Sequence, residues 1–244
     1  MADIMLALSR TLSSLRQRKL WIYVLIPAVF SLLLTFGLAI WGLGALVERL
    51  LTYPPMTLLV SWGLLWLAYV LAYLGGWMAI FAAAYLAASL LAAVIILPLM
   101  LKHLAASDYA DVAPMGADSF AAATANSIFA SILFIAGWLI TLPLWLLPGL
   151  SLILPMLLMA WLNRRTFAYD ALAMHATADE WRALEQSHKT PLFMLGLSMA
   201  LLAHIPLLGL LVPALSALSF VHYGLEALRR QRCGALVSVL GDHP

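Results

Sequence analysis

Two stretches, Pro148-Gly149-Leu150-Ser151-Leu152-Ile153-Leu154-Pro155 and Pro206-Leu207-Leu208-Gly209-Leu210-Leu211-Val212-Pro213, each set two prolines seven residues apart around a glycine and large aliphatics. Both lie inside long uncharged runs. Proline removes a backbone donor and breaks a helix interior, so the spacing predicts that the chain turns round at each. Where the surroundings are lipid, an open turn leaves polar backbone groups unpaired at several kcal/mol each. The two stretches are expected as the tips of two hydrophobic hairpins, and each tip must be covered by other helices, another subunit or water.

Composition says what the surroundings are. Of 244 residues, 65% are hydrophobic and 10% charged, and the mean hydropathy is +1.01. A soluble domain is about half apolar and about a quarter charged, so this is an integral membrane protein. A net charge of +2 with dispersed cations excludes nucleic acid as a partner. A single cysteine, Cys233, excludes an intramolecular disulfide framework. Nine tryptophans suit rings at headgroup level. The first apolar run is longer than the core of a secretory signal, and no small-x-small site follows it, so no signal peptide is expected.

Residues 1–19 read as an amphipathic helix lying on the membrane. Ile4, Met5, Leu8, Leu12 and Leu15 recur at helical spacing, and Arg10, Arg16 and Gln17 fall largely opposite. A first membrane helix is expected over 20–51, with Trp21 and Tyr23 as interface anchors and a bend at Pro27. Tyr53-Pro54-Pro55 then turns the chain. Met56 to Leu101 holds 46 residues without a charge. These would make about 69 Å of helix, more than twice a hydrocarbon core of about 30 Å. Gly75-Gly76 marks either a turn between two spans or a kink.

Charge decides for one long helix, over 54–103. With one span, Lys102 returns to the side of the basic N-terminus. Twelve of the thirteen Lys and Arg residues then share that side, and Arg49 alone lies opposite, as the positive-inside rule requires. A polar connection follows, with Pro114 and Gly116 as breakers and Asp118 or Ser119 as helix cap.

Hairpin one is expected over 119–162, with a second limb of 14 residues from Gly149 to Leu162. Such a limb is about 21 Å long and too short to cross, so the hairpin reads as re-entrant. A cytoplasmic helical segment spans 163–190. There Arg164 and Arg165 stop membrane entry, and Thr177-Ala178-Asp179-Glu180 forms a capping box. Hairpin two covers 191–228, and a loosely ordered tail 233–244. The fold class is thus all-α integral membrane: two long transmembrane helices, two re-entrant (half-penetrating) hairpins and an amphipathic N-terminal helix, in one membrane domain.

No zinc-protease motif, phosphate-binding glycine loop or CxxC pair occurs. Enzyme activity, a metal and a cofactor are therefore not expected. Ser127, Ser131 and Ser151 are helix-packing groups. His204 and His222 fall in apolar surroundings, where a histidine either lines a permeation route or sits neutral and hydrogen-bonded near a turn. Arg16, Arg18 and Lys19 are the densest basic cluster at a membrane entry. They serve either headgroup attraction and topology or recognition of an oxyanion by guanidinium forks. Tyr169-Asp170 reads as a helix-packing or cytoplasmic contact.

The basic amphipathic start, Tyr23-Val24-Leu25-Ile26-Pro27, Ala160-Trp161-Leu162, Phe167-Ala168-Tyr169-Asp170 and Ile205 to Pro213 together resemble the CysZ and etoposide-induced-protein domain family. The resemblance covers about residues 5–230 and lies in the order and spacing of the pieces. It implies a bacterial inner-membrane protein with two long helices and two half-penetrating hairpins, often oligomeric, whose best-known members mediate sulfate uptake for cysteine synthesis. Sulfate-transporting members carry Gly-Leu-Arg-Arg just before Val-Leu-Ile-Pro. Here those positions are Lys19-Leu20-Trp21-Ile22, and the Gly-Ala-Thr after the last proline aligns with Leu218-Ser219-Phe220.

Two functions follow as expectations. One is a channel-like permease for sulfate or a related small anion, a homo-oligomer with its basic segments cytoplasmic. Arg16, Arg18 and Lys19 would bind the anion, and Pro148, Gly149, Pro155, His204, Pro206, Gly209 and Pro213 would lie along the route. The other is a non-transporting scaffold that binds membrane lipid or a partner protein.

Overall fold

The computed structural model describes residues 2–116, 120–147, 149–205 and 208–241, and every regular element among them is helical. α1 is Ala2–Ser14, with Ile4, Ala7 and Thr11 buried along one side. An elbow of three residues leads into α2, Arg18–Leu51, which passes through Pro27 without a break. The Trp21 indole N–H donates to the Leu15 carbonyl at 2.7 Å and closes the elbow.

The long uncharged run folds differently from expectation at its start. After a short α3, Met56–Ser61, the chain reverses at Gly63, whose φ of 78° suits a residue without Cβ. A continuous rod then runs from Leu65 to Ser107 as α4, Leu65–Leu91, a π-helical turn, Ala92–Ile96, and α5, Leu97–Ser107. Its 43 residues amount to about 64 Å. Gly75 and Gly76 make neither a turn nor a boundary; both are helical. Their smallness serves contact: a Cβ on Gly76 would stand 2.9 Å from Leu43 Cδ1 of α2. Gly76 belongs to a stripe at every fourth position, Ala68, Ala72, Gly76, Ile80, Ala84 and Ala88, all buried. Small residues let two apolar helices approach closely where lipid is as apolar as leucine. The π turn has a local cause. Pro98 has no N–H to give the Val94 carbonyl and its ring crowds that oxygen, so the helix widens there.

The rod's far end comes back to the α1–α2 elbow, where His103 Nε2 lies 2.9 Å from Gln17 Oε1. One long helix returning to the basic end is therefore what forms. Arg49 lies 30 residues along α2 from Lys19, about 45 Å away at helical rise.

α6, Phe120–Thr141, and a 3-10 turn, Leu142–Leu146, form the first limb of hairpin one. Capping by Asp118 or Ser119 falls outside the described residues, as do the tip prolines Pro148 and Pro206. Gly149, with φ of 86°, starts α7, Leu150–Asn163. The chain does not stop there. It continues through a second π turn, Arg164–Ala168, into α8, Tyr169–Leu172. This corrects the limb length: the second limb is one helix to Leu172, long enough at about 34 Å that length alone no longer makes it half-crossing. The tip is also narrower than the Pro-x6-Pro stretch. Pro155 lies inside α7 and Pro213 inside α11, Leu208–Gly241, past the reversals. α11 also extends helix to Gly241, into the stretch expected as a loose tail. α10, Lys189–Ala203, is the one limb that stays short, at 15 residues.

Between the hairpins, Thr177 caps α9, Ala178–Ser187, with the expected box. Glu180 N–H donates to Thr177 Oγ1 at 3.3 Å, and Thr177 N–H donates to the Glu180 carboxylate at 2.8 Å. The hairpins meet where α7 crosses α10. A Cβ on Gly196 would stand 2.5 Å from the Ala160 carbonyl oxygen, so no larger residue fits without moving backbone. Tyr85 O–H donates to Asn163 Oδ1 at 2.9 Å and ties the rod to the same crossing.

Candidate functional site

One apolar core joins the start of α2 (Leu20, Val24), the end of the rod (Met100, Leu101, Leu104), Phe167, Leu184, Leu195 and the middle of α11 (Phe220, Leu225). Burying one such side chain stabilises by about 1.5–3 kcal/mol. The basic residues other than Arg49 flank this end of the molecule, and the charge of Arg10, Arg229, Arg230 and Arg232 is consumed there.

The consumption is specific. Arg232 Nε donates to Glu180 at 2.8 Å, and its Nη groups donate to the carbonyls of Ala113 and His175 at 2.8 and 2.7 Å. This fork fastens α11 to α9 and to the loop at 113–116. The Arg232 guanidinium holds the Glu180 carboxyl below the usual range, helped by the cap hydrogen bond from Thr177. Arg229 binds Asp111 and the Asp108 carbonyl, and stacks 4.7 Å from the Tyr109 ring centroid. The Asp111 carboxyl is lowered by that same hydrogen bond. Arg230 pairs with Asp3 and Glu226. Arg10 donates to Tyr109 Oη at 2.9 Å and to Glu226 at 2.8 Å.

Tyr109 also connects to His222, whose Nδ1 is 3.0 Å from the phenol oxygen, while Ser14 Oγ is 2.9 Å from Nε2. His222 is thus buried with a partner on each ring nitrogen, which is the neutral, hydrogen-bonded alternative. Its partners lie far off in sequence and no local signal points to them. A cavity of about 420 Å³ opens between α1, α9 and α11 beside this network, lined by Asp3, Arg10, His188, Tyr223, Glu226 and Arg230 among others. Its two arginines are already neutralised by the two carboxylates.

Arg16, Arg18 and Lys19 behave differently. All three are exposed on the elbow, and among the described residues their side chains form no ion pair or hydrogen bond. Lys102, one residue before the His103 that reaches Gln17, adds a fourth exposed cation to that end. An oxyanion arriving there meets positive charge without first displacing a carboxylate, which is the condition for a charge-assisted hydrogen bond to add energy.

The pathway residues do not gather around the elbow. Gly149 is exposed at its tip. Gly209 is held against the end of α10, where a Cβ would stand 2.4 Å from the Ala203 carbonyl oxygen. Pro213 is buried within α11 and Pro155 sits in α7. His204 is exposed at the end of α10, with Nδ1 2.7 Å from the Ala200 carbonyl oxygen, a local turn bond. The tips themselves are apolar and bare: Ile140 is 77% exposed and Leu201 51%. Among the described residues no three His, Cys, Asp or Glu side chains gather as metal ligands.

Asp170 was expected in a packing or cytoplasmic contact. It is buried under α6, accepting from Ser127 Oγ at 2.6 Å and from Asn126 Nδ2 at 3.5 Å. Burial pushes its carboxyl up to about 7, against the pull of those two donors.

The family model described as sulfate transporter CysZ/etoposide-induced protein 2.4 matches residues 7–213. No curated protein and no solved structure matches the chain.

Proposed function

We propose that this chain, which belongs to the sulfate transporter CysZ/etoposide-induced protein 2.4 family, is a passive membrane permease or channel for sulfate or a related small oxyanion. The observation that carries this reading is the contrast in charge at the basic end. Arg10, Arg229, Arg230 and Arg232 are spent on carboxylates, whereas Arg16, Arg18 and Lys19 stand exposed and unpaired where α1 turns into the first candidate span. They would draw an oxyanion to the membrane entry and give it up easily, since solvent screens each contact. They would also replace the arginine pair that sulfate-transporting relatives carry slightly later in the chain.

The basic end is assigned to the cytoplasm of a bacterial inner membrane by the positive-inside rule. The bare apolar tips support hairpins that stop within the bilayer or reach a second copy of the chain. A homo-oligomer would cover them and enclose the route.

Radiolabelled sulfate flux into liposomes tests the proposal. The full chain should pass sulfate well above empty vesicles, and Arg16→Ala/Arg18→Ala should at least halve the rate. Flux equal to empty vesicles would sink it and leave the scaffold, to which the same bare tips would offer lipid or a partner protein. Flux indifferent to the double substitution would remove the elbow from the route.

A further inference from the structure

A second basic feature lies away from the elbow. The π turn over Arg164–Ala168 interrupts the helix that runs from α7 into α8. π bulges concentrate at functional sites, because they re-aim side chains at the expense of regular bonding. Here Asn126 Nδ2 takes up the Arg165 carbonyl at 3.1 Å. Beside the turn is a pocket of about 310 Å³, walled by Arg164, Arg165, Trp161, Trp181, Phe129 and Leu133, with Glu185 on its polar side. The Arg165 side chain is exposed and makes no hydrogen bond or ion pair among the described residues, though its charge acts on Asp170. Arg164 reaches only Glu185, at a loose 3.7 Å.

The walls differ in kind along the pocket. Phe129 and Leu133 lie one turn apart on α6, a candidate span, and are 54% and 41% exposed. At the opposite end is α9, whose Asp179, Glu180, Arg182 and Glu185 make it a water-facing helix. Trp161 and Trp181 also line it, and indole rings favour the membrane interface. A pocket that is cationic at its wet end and open to apolar side chains at the other fits an amphiphile. Basic pockets between membrane helices on the cytoplasmic side take phospholipid head groups.

We infer that this pocket binds an anionic phospholipid, its phosphodiester between Arg164 and Arg165 and an acyl chain along Phe129 and Leu133. Glu185 limits the charge the site accepts, favouring one phosphate over a polyphosphate. A free oxyanion would use the same guanidinium groups but leave the apolar wall unoccupied. The inference is independent of sulfate transport and stands or falls without it.

Native mass spectrometry of the full chain in mild detergent tests it, with thermal melting alongside. Phosphatidylglycerol should remain bound and raise the melting temperature; phosphatidylcholine should do neither. Arg165→Ala should weaken phosphatidylglycerol about tenfold, the loss of one charge-assisted hydrogen bond. Its side chain makes no hydrogen bond or ion pair and acts otherwise only through its charge on Asp170, so its melting without lipid should stay close to the wild type. Leu133→Asn should weaken the lipid while leaving any response to inorganic phosphate unchanged. Equal binding of the two lipids, or full affinity in Arg165→Ala, would overturn the inference. So would inorganic phosphate or sulfate matching phosphatidylglycerol in the melt, since that outcome describes a free-anion site.

Discussion

α2 and α11 are both 34-residue helices in the same apolar chain, and they live in opposite surroundings. Of the most apolar stretch of α2, 22% is buried, against 72% for α11. α11 passes through the shared core and carries Ser219, His222, Glu226, Arg229, Arg230 and Arg232 to partners on α1, on the connection at 108–116, at His175 and on α9. The outer half of α2 touches little but α4, and shows Ile40 and Trp41 almost fully, the latter at 87% exposure. The difference separates two ways of holding helices. At the basic end water is near, so burial and paired charge do the work. Along the α2–α4 seam lipid replaces water, and only close packing of small residues favours protein contact over lipid.

The largest expected effect comes from Asp170, the buried acid at the edge of the basic end. An unfolded aspartate releases its proton near 3.8, while here the group holds it to about 7. Between those values the folded chain binds the extra proton, so stability falls as pH rises through that window and levels off above it. The ceiling is about 4 kcal/mol at 1.36 kcal/mol for each decade. Asp170→Asn keeps an acceptor for Ser127 and cannot ionise. Melting followed from pH 4 to pH 8 should show the decline in the wild type and a flatter profile in the variant. Parallel profiles would mean that Asp170 is ionised throughout.

Next comes Arg232→Ala. It leaves Glu180 and the His175 carbonyl, both at part-buried contacts, and the exposed Ala113 carbonyl without their guanidinium donor. Breaking a buried pair costs about 3–5 kcal/mol, and the remaining solvent access at this site reduces the expected loss to about 2–4 kcal/mol. The protection lost in hydrogen exchange should centre on α9 and the loop at 113–116, leaving the α2–α4 seam untouched.

These two regions were not equally readable from the residues. The Thr177–Glu180 box is a local pattern and folds as its residues imply; α1 also forms, but its buried side is Ile4, Ala7, Thr11 and Ser14, while Met5 and Leu12 of the apolar series are exposed. In the uncharged run polarity is silent, because a lipid-facing and a protein-facing side chain are both apolar. What distinguishes them is size, and the fourfold recurrence from Ala68 to Ala88 carries it. Gly75-Gly76 looked like a break because glycine destabilises a water-exposed helix; packed against Leu43, it is a contact. Gly63 makes the real break in this run, since there the backbone takes a positive φ. The prolines misled in the same way: Pro155 and Pro213 each lose one helical bond without ending the helix. The network of Arg10, Tyr109, His222 and Glu226 joins residues 99 or more positions apart, and nothing local announces it. The elbow cations were visible as a cluster, but that they lack carboxylates while Arg10, Arg229, Arg230 and Arg232 have them depends on where those arginines go.

A third substitution addresses the lipid-side mode directly. Gly76→Leu forces a side chain into the seam where a single Cβ already meets Leu43 at 2.9 Å and Val47 Cγ2 at 3.4 Å. Overpacking of this kind costs about 1–3 kcal/mol. Cross-linking between cysteines placed at Leu43 and Ile80 in a Cys233→Ser background should fall, while exchange at α9 and α11 stays as in the wild type. A variant that instead loosens α9 would show that the two ends are one cooperative unit.

The smallest effect sets the floor of the comparison. Arg182 pairs with Asp179 at 2.9 Å, within 0.1 Å of the Arg10–Glu226 contact at 2.8 Å, yet the two side chains are 71% and 92% exposed. Water screens the pair from all sides, and holding two flexible side chains in place costs entropy that offsets most of the attraction. Arg182→Ala should therefore change stability by less than about 0.5 kcal/mol. Added salt should leave the difference between wild type and variant near zero, while it narrows the larger gap caused by Arg232→Ala only in part, because that fork is sheltered. An Arg182 variant that melted as low as the Arg232 variant would mean that α9 is held by its surface charge, and not by the fork that reaches it from α11.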